Sequence, residues 1–401
     1  MKKKSYSSEN ALLVLFLTIF IDLLGFGIVI PILPNFARSL QAASWQIGFL
    51  VASYSLMNFL FAPFWGGLSD KIGRKPVILI SVALTGIAYV VFAYSHVLWL
   101  LFASRIIAGI GSANIAAAQA YIADISEPSQ RAKNFGIIGA AFGLGLIIGP
   151  TIGGIVYENY GISVVGWLVV ILCLMNLIVA FLLLPETLAE KNIALPLKIN
   201  PLQDLRLALR REDIKRLLWL SFLFVTAFMM IQPTLALLWK EQAGLNDKQN
   251  GYAFAFMGVV TTLMQGFLVG KLNQRFGEYK LLVFGCVALV VAGTIFPLFV
   301  SPKWFIPFEL LAITFSGISS GCFTPALNAL LSKAVSEQEQ GRVLGINQSF
   351  GAVARIVGPA IGLAFYDVDF HLPYWIAATI AALLWYGIKF IPKVLQKKIR
   401  T

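Results

Sequence analysis

Twelve apolar stretches follow one another along the 401 residues of this chain, beginning near Ala11, Trp45, Pro76, Val97, Lys133, Ile162, Arg216, Asn250, Lys280, Trp304, Arg342 and Leu372. Crossing a bilayer takes about 20 apolar residues per helix, because every backbone polar group must find its partner inside the segment. Each stretch meets that length, and short polar joints separate most of them. The expected fold is all-α and polytopic, with twelve transmembrane helices and no room for a soluble enzyme domain. Composition agrees, with 58% of residues hydrophobic and 12% charged, against roughly 25% charged in a soluble domain.

The positions of the charges give an expected orientation. A net charge of +12 raises the possibility of nucleic acid, but its distribution argues for membrane topology instead. With a cytoplasmic N-terminus, 25 of the 31 Lys and Arg residues fall in inner segments. Four (Arg38, Lys240, Lys248, Lys303) lie in outer loops and two, Arg105 and Arg355, within helices. This is the positive-inside signature. It implies a multi-pass protein of the inner (plasma) membrane with both termini cytoplasmic, surrounded by lipid bilayer and without a nucleic-acid partner. Lys2 to Lys4 before an apolar run imitate a secretory signal, but the run is too long, contains Asp22 and ends in Pro31 and Pro34. Cys173, Cys286 and Cys322 are spaced for neither a metal site nor a disulfide framework. They read as packing residues, and no nucleophile and base arrangement points to an enzyme.

One long basic joint divides six segments from six. The expected organisation is an N-terminal bundle (1–186), a cytoplasmic linker (187–215) and a C-terminal bundle (216–401). Within the linker, Leu202, Leu205 and Leu209 with Arg206, Arg210 and Arg211 form either a short helix on the inner surface or a solvated spacer. An internal repeat supports the division. Gly66, Leu68, Lys71 and Gly73 recur as Gly270, Leu272, Arg275 and Gly277, an offset of 204, and Gly149, Pro150 and Gly153 recur as Gly358, Pro359 and Gly362, an offset of 209. Two halves repeated in the same orientation suit a carrier with a midplane site exposed alternately to each side.

Four patterns carry chemistry. The joint from Gly66 to Lys75 has glycines for a tight turn at Gly66 and Gly73. Asp70, Arg74 and Lys75 are either a charge lock that works as the halves rock or a plain cationic anchor. Its second copy replaces Asp70 with Gln274 and Arg74 with Glu278, so a lock would be asymmetric. Segment five carries Gly136, Gly145, Gly149, Pro150, Gly153 and Gly154, spaced to admit a neighbouring helix, with a proline that frees a carbonyl. Segment one carries Asp22. A carboxylate near the bilayer centre costs about 2.5 to 3.5 kcal/mol on insertion scales, so it needs a partner or a task. It either loads and releases a proton, tuned by burial and nearby cations, or bonds one helix to another. Arg105, near the middle of antiparallel segment four, is its natural cation; the alternative is an Arg that only holds helices together.

On these motifs the chain resembles the major facilitator superfamily over nearly its full length, specifically the twelve-helix drug:proton antiporters and the tetracycline-resistance efflux pumps. The resemblance implies two pseudo-symmetric six-helix bundles, a gating loop at Gly66 to Lys75, an antiporter motif in segment five and tuning of the Asp22 proton site by Arg105. The membrane-buried acids of the tetracycline pumps in helices three and nine give way here to apolar regions around Ala88 and Leu289, and their helix-eight histidine falls near Thr261 or Thr262. The expectation is a related exporter with another cargo.

Tyr54, Asn58, Asn114, Gln119 and Gln232 are expected to line a cavity. Gln348 shares a face with Arg355, which either binds an anionic part of a substrate or caps carbonyls near Gly358 and Pro359. Glu309, about two turns from the outer surface, is expected to reach water, and His96 and His371 fall in outer loops. The expected function is proton-coupled efflux of small amphipathic compounds, driven by the proton gradient without a cofactor or metal, by a monomer. A nutrient symporter or uniporter of the same fold is the alternative, disfavoured by segment five, and a membrane receptor without transport is a third reading.

Overall fold

The computed structural model describes residues 8–126, 131–188, 211–298, 302–335 and 337–388. Among them are helices and turns but no strand. The helices are α1 (Ser8–Val29), α2 (Leu33–Ser39), α3 (Ser44–Ile72), α4 (Arg74–Ala93), α5 (Leu98–Gly111), α6 (Ile115–Ile125), α7 (Arg131–Leu183), α8 (Glu212–Glu241), α9 (Asp247–Leu263), α10 (Val269–Ile295), α11 (Pro302–Ala334), α12 (Glu337–Tyr366) and α13 (Leu372–Ile388). A π-turn, Met264–Leu268, joins α9 to α10. The linker leucines and Arg206 and Arg210 lie outside the described residues.

Eight continuous stretches are long and apolar enough to cross a membrane. Two of these, Gly143–Leu183 and Asp247–Ile295, hold two crossings each, because Gly161 and Gly277 break them. The broken pair α5 and α6, together with the short apolar α13, brings the described crossings to twelve. Where polar joints were expected between segments five and six and between eight and nine, one glycine makes each corner. Gly73 (φ 115, ψ 156), Gly161 (φ 77, ψ −178) and Gly277 (φ 77, ψ 161) all adopt a backbone region open essentially only to glycine. Gly73 and Gly277 are repeat partners, so the two copies of the loop turn with the same backbone geometry.

By packing, the chain forms two units, one from Met1–Ile32 with Ser53–Asn200 and one from Leu33–Ala52 with Pro201–Thr401. The second therefore takes in α2 and the start of α3, which the sequence boundary at 186 had placed in the first half. Each unit contains the same glycine-mediated contact. A Cβ at Gly149 would sit 2.8 Å from the Gly27 backbone, one at Gly145 3.0 Å from Leu23, and one at Gly153 would collide with the Ile28 carbonyl, so α7 lies directly on α1. In the other unit a Cβ at Gly358 would stand 2.8 Å from the Thr226 carbonyl and one at Gly362 2.5 Å from that of Met230, laying α12 on α8 in the same way.

The first unit's core gathers Leu15, Trp65, Val77, Tyr121 and Leu184. In the second, Phe224 and Phe323 stack with centroids 3.7 Å apart. Beyond Gly161, α7 presents Ile171, Leu174, Met175, Ile178, Phe181 and Leu182, each more than half exposed. An apolar band of this size would aggregate in water and belongs in lipid. At the start of α9, Asn246 and Gln249 form a reciprocal capping box with both bonds at 2.9 Å, an arrangement worth about 1 kcal/mol.

Candidate functional site

In the first unit, α1 presents Asp22 to the break between α5 and α6. Ser112 to Asn114 form that break as a turn, and the Asn114 side chain makes no capping bond to α6. Its Nδ2 donates to Asp22 Oδ2 at 3.1 Å and to Ser81 Oγ on α4 at 2.6 Å. Asp22 Oδ1 is buried and accepts no hydrogen bond among the described residues. The carboxyl is thus held by one neutral donor and keeps one oxygen open.

Arg105 is 2% exposed, but it does not pair with Asp22. Its guanidinium lies over the rings of Phe92 at 4.8 Å and Tyr89 at 5.3 Å, with Nε donating to Ser104 Oγ at 3.4 Å. The rings replace a carboxylate as its counterpart, since an aromatic face attracts a desolvated cation. Tyr89 also reaches α1, where a Cβ at Gly25 would lie 3.2 Å from its hydroxyl. Tyr89 therefore stands between Arg105 and the helix of Asp22. The sequence reading missed Tyr89 and Ser81; with Thr85 they are the hydroxyl-bearing residues of a mostly apolar stretch from Val77 to Ala93.

The loop motif forms a polar cluster inside the same unit. Arg74 donates to Asp70, to Ser69 Oγ at 2.7 Å and to Asp124 Oδ2 at 3.2 Å, while its backbone N–H donates to Glu186 Oε1 at 3.0 Å. Lys75 Nζ donates to the Phe181 carbonyl at 2.7 Å. The second copy is built with reversed charge. Glu278, in place of Arg74, accepts from Lys333 at 2.8 Å and from Asn273 at 3.1 Å. Lys333 stands 209 positions after Asp124, the same offset as the glycine repeat. Both partners of the Arg74 and Asp124 pair therefore recur with exchanged signs, a relation visible in the sequence once the 209-residue offset is carried on to residue 333.

The expected cavity residues spread over both units. In the first, Tyr54 stacks on Phe26 with centroids 5.1 Å apart and Asn58 Nδ2 reaches Ser112 Oγ at 3.5 Å. Asn114 belongs to the carboxyl site, and Gln119 is exposed. In the second, Gln232 and Arg355 are half-buried and Gln348 is exposed. A Cβ at Gly351 would lie 3.5 Å from Arg355 Nη1. Glu309 departs from expectation. It is 5% exposed and accepts a hydrogen bond from the Trp239 indole, because the fully buried Trp239 of α8 closes over it. His96 is exposed and His371 half-buried, the latter bonding Asp369 at 2.6 Å. Among the described residues, no group of three or more His, Cys, Asp or Glu could hold a metal ion.

Twelve apolar crossings in two repeated units, one holding a buried carboxyl braced by a glycine-lined helix, define a multi-pass membrane carrier. The sequence profile of the Major Facilitator Superfamily matches residues 15–313 and 266–399, and the chain belongs to that superfamily. It is 33% identical to the class C tetracycline resistance protein of Escherichia coli over 90% of each chain. It is 27% identical to Multidrug resistance protein 2 of Bacillus subtilis (strain 168), over 95% of this chain and 94% of that one. The crystal structure of the human organic anion transporter MFSD10 (TETRAN) superposes with a TM-score of 0.72 at 25% identity, covering 96% of this chain and 100% of that one.

Proposed function

We propose that this transporter exports small amphipathic compounds in exchange for entering protons, with Asp22 as the proton carrier. The observation that carries the reading is the buried Asp22 carboxyl, held by the Asn114 amide and open at Oδ1. A carboxyl in low-dielectric surroundings takes a proton where water reaches it and travels neutral where water does not. Arg105 acts on this site through Tyr89, whose ring it faces. The relatives named for tetracycline and multidrug resistance support export as the direction. Apolar regions around Ala88 and Leu289 support a cargo other than tetracycline.

Coupling is energetically sufficient. One proton entering down about 100 mV supplies about 2.3 kcal/mol, and one pH unit about 1.4 kcal/mol more, enough for a gradient of roughly 500-fold in a neutral solute. The reading places both termini in the cytoplasm of an inner-membrane monomer with alternating access and no cofactor, its bundles 1–186 and 216–401 joined by 187–215. A compound panel comparing cells with and without the protein identifies a cargo by altered toxicity. Inside-out vesicles given a proton gradient should then accumulate that compound and lose it when an ionophore collapses the gradient. Accumulation unaffected by the ionophore contradicts the reading.

A further inference from the structure

Away from the Asp22 site, the first unit carries an apolar groove of about 470 Å³ between α4 and the part of α7 beyond Gly161. Leu79, Ile80 and Ala83 form one wall and Leu177, Ile178 and Phe181 the other. Ile80, Ile178 and Phe181 are exposed. Lys75, Leu79 and Ala83 follow one another at four-residue spacing, which makes them one stripe of α4 with Lys75 at its head.

A gap in α7 fixes the Lys75 ammonium at the end of the groove. The Phe181 carbonyl would take its helical hydrogen bond from residue 185, which is a proline and has no N–H to give. Lys75 Nζ donates to that carbonyl at 2.7 Å and stands 5.5 Å from the centre of the Phe181 ring, itself a wall of the groove. An ammonium has three N–H donors, so others remain for a further acceptor. The acids at this level are already engaged. Asp70 and Asp124 accept from the Arg74 guanidinium, and Glu186 Oε1 accepts from the backbone N–H groups of Arg74, Thr187 and Leu188. The partner of Lys75 is a neutral carbonyl, which leaves its positive charge uncompensated. From Lys75 to Ala83 the stripe runs about 12 Å along the helix, close to the roughly 15 Å depth of one leaflet's hydrocarbon. One cation at the head of a leaflet-deep apolar groove is complementary to an amphiphile with an anionic end and an acyl chain.

We propose that this groove binds one anionic phospholipid, its phosphate accepting from Lys75 and one acyl chain lying between α4 and α7. A zwitterionic lipid brings an ammonium of its own beside Lys75 and is disfavoured. The groove shares no residue with the Asp22 site, so it stands whether or not the protein exchanges cargo for protons.

Phosphatidylglycerol with a photoactivatable diazirine in its acyl chain tests this on the purified full-length protein in phosphatidylcholine nanodiscs, with labelled peptides mapped by mass spectrometry. Adducts are expected at residues 79–83 and 177–182, suppressed by excess unlabelled phosphatidylglycerol. A phosphatidylcholine probe with the same chain, at the same mole fraction, should label these positions roughly fivefold less, the worth of one lysine beside an anionic lipid. Lys75→Gln, which keeps an N–H donor for the Phe181 carbonyl, should bring the phosphatidylglycerol probe down to that level. Ala83→Phe, which fills the groove and leaves Lys75 in place, should remove both labels. Equal labelling by the two probes, or phosphatidylglycerol labelling unchanged in Lys75→Gln, overturns the proposal. So does the absence of adducts from the groove, the result expected if a second copy of the chain covers it.

Discussion

Single side chains here matter through what they lack. Among the described residues Asp22 bonds no cation and Arg105 no acid, so two buried chargeable groups of the first unit are each answered by neutral groups. An aromatic counterpart to a desolvated guanidinium is worth about 2 kcal/mol, and a lysine's compact ammonium would not stack in the same way. Arg105→Lys should therefore lower the thermal unfolding midpoint in detergent, whereas an Asp22→Asn protein, keeping a bond to Asn114, should unfold near the wild-type temperature. Asp367 gives a pH-dependent case away from the membrane. Burial pushes its carboxyl up, but bonds from Ser44 and Arg38 outweigh that and hold it below the usual carboxylate range. A lowered value means the stabilisation is present above the ordinary carboxylate range and lost as pH falls through the folded-state value. Hydrogen exchange of residues 33–52, corrected for intrinsic rate, should stay constant from about pH 7 to about pH 5 and rise only below about pH 4. The sequence showed which charges were buried, because a charge inside an apolar run is visible in one dimension. It did not show their counterparts, since Tyr89, Trp239 and Asn114 are brought in by packing between distant segments.

At the level of elements, glycine placement decides which helices touch and where the chain turns. Gly73 and Gly277 share a backbone conformation that costs other residues about 1 to 3 kcal/mol. A Cβ at Gly73 would also strike the Glu186 carboxylate, whereas one at Gly277 meets nothing within 4 Å. Gly73→Ala should accordingly reduce thermal stability more than Gly277→Ala, and equal losses would mean that the Glu186 contact is immaterial. The charge-reversed pair makes a second test. Removing Lys333 leaves Glu278, which has a side chain 7% exposed, with the neutral Asn273 amide as its side-chain donor, and a charged hydrogen bond of the lost type contributes about 1.5 to 3 kcal/mol. Lys333→Met alone should destabilise, and a Glu278→Lys, Lys333→Glu exchange should recover most of the loss in a double-mutant cycle. Helix positions were readable because twelve apolar runs and the repeated glycines set them. The one-residue corners at Gly161 and Gly277 were not, because the residues around them, Glu158 and Asn159 in one case and Asn273 to Lys280 in the other, read as ordinary polar joints.

For the whole chain, the superfamily and the two-fold repeat were legible from residues alone, and packing groups Leu33–Ala52 with the second unit. Leu33–Ala52 goes with the second unit because Arg38, Asn35 and Ser44 are bonded to Glu241, Asp247 and Asp367, an attachment that depends on residues some 200 to 300 positions away. The account's central claim is that one carboxyl on α1 couples the movement of cargo to that of protons. Its most direct test separates coupling from carriage in proteoliposomes, using a cargo found by the toxicity panel. Wild type should exchange labelled for unlabelled compound and also accumulate it when a proton gradient is imposed. Asp22→Asn should exchange at a comparable rate and accumulate nothing. Accumulation by Asp22→Asn at the wild-type level would contradict the account.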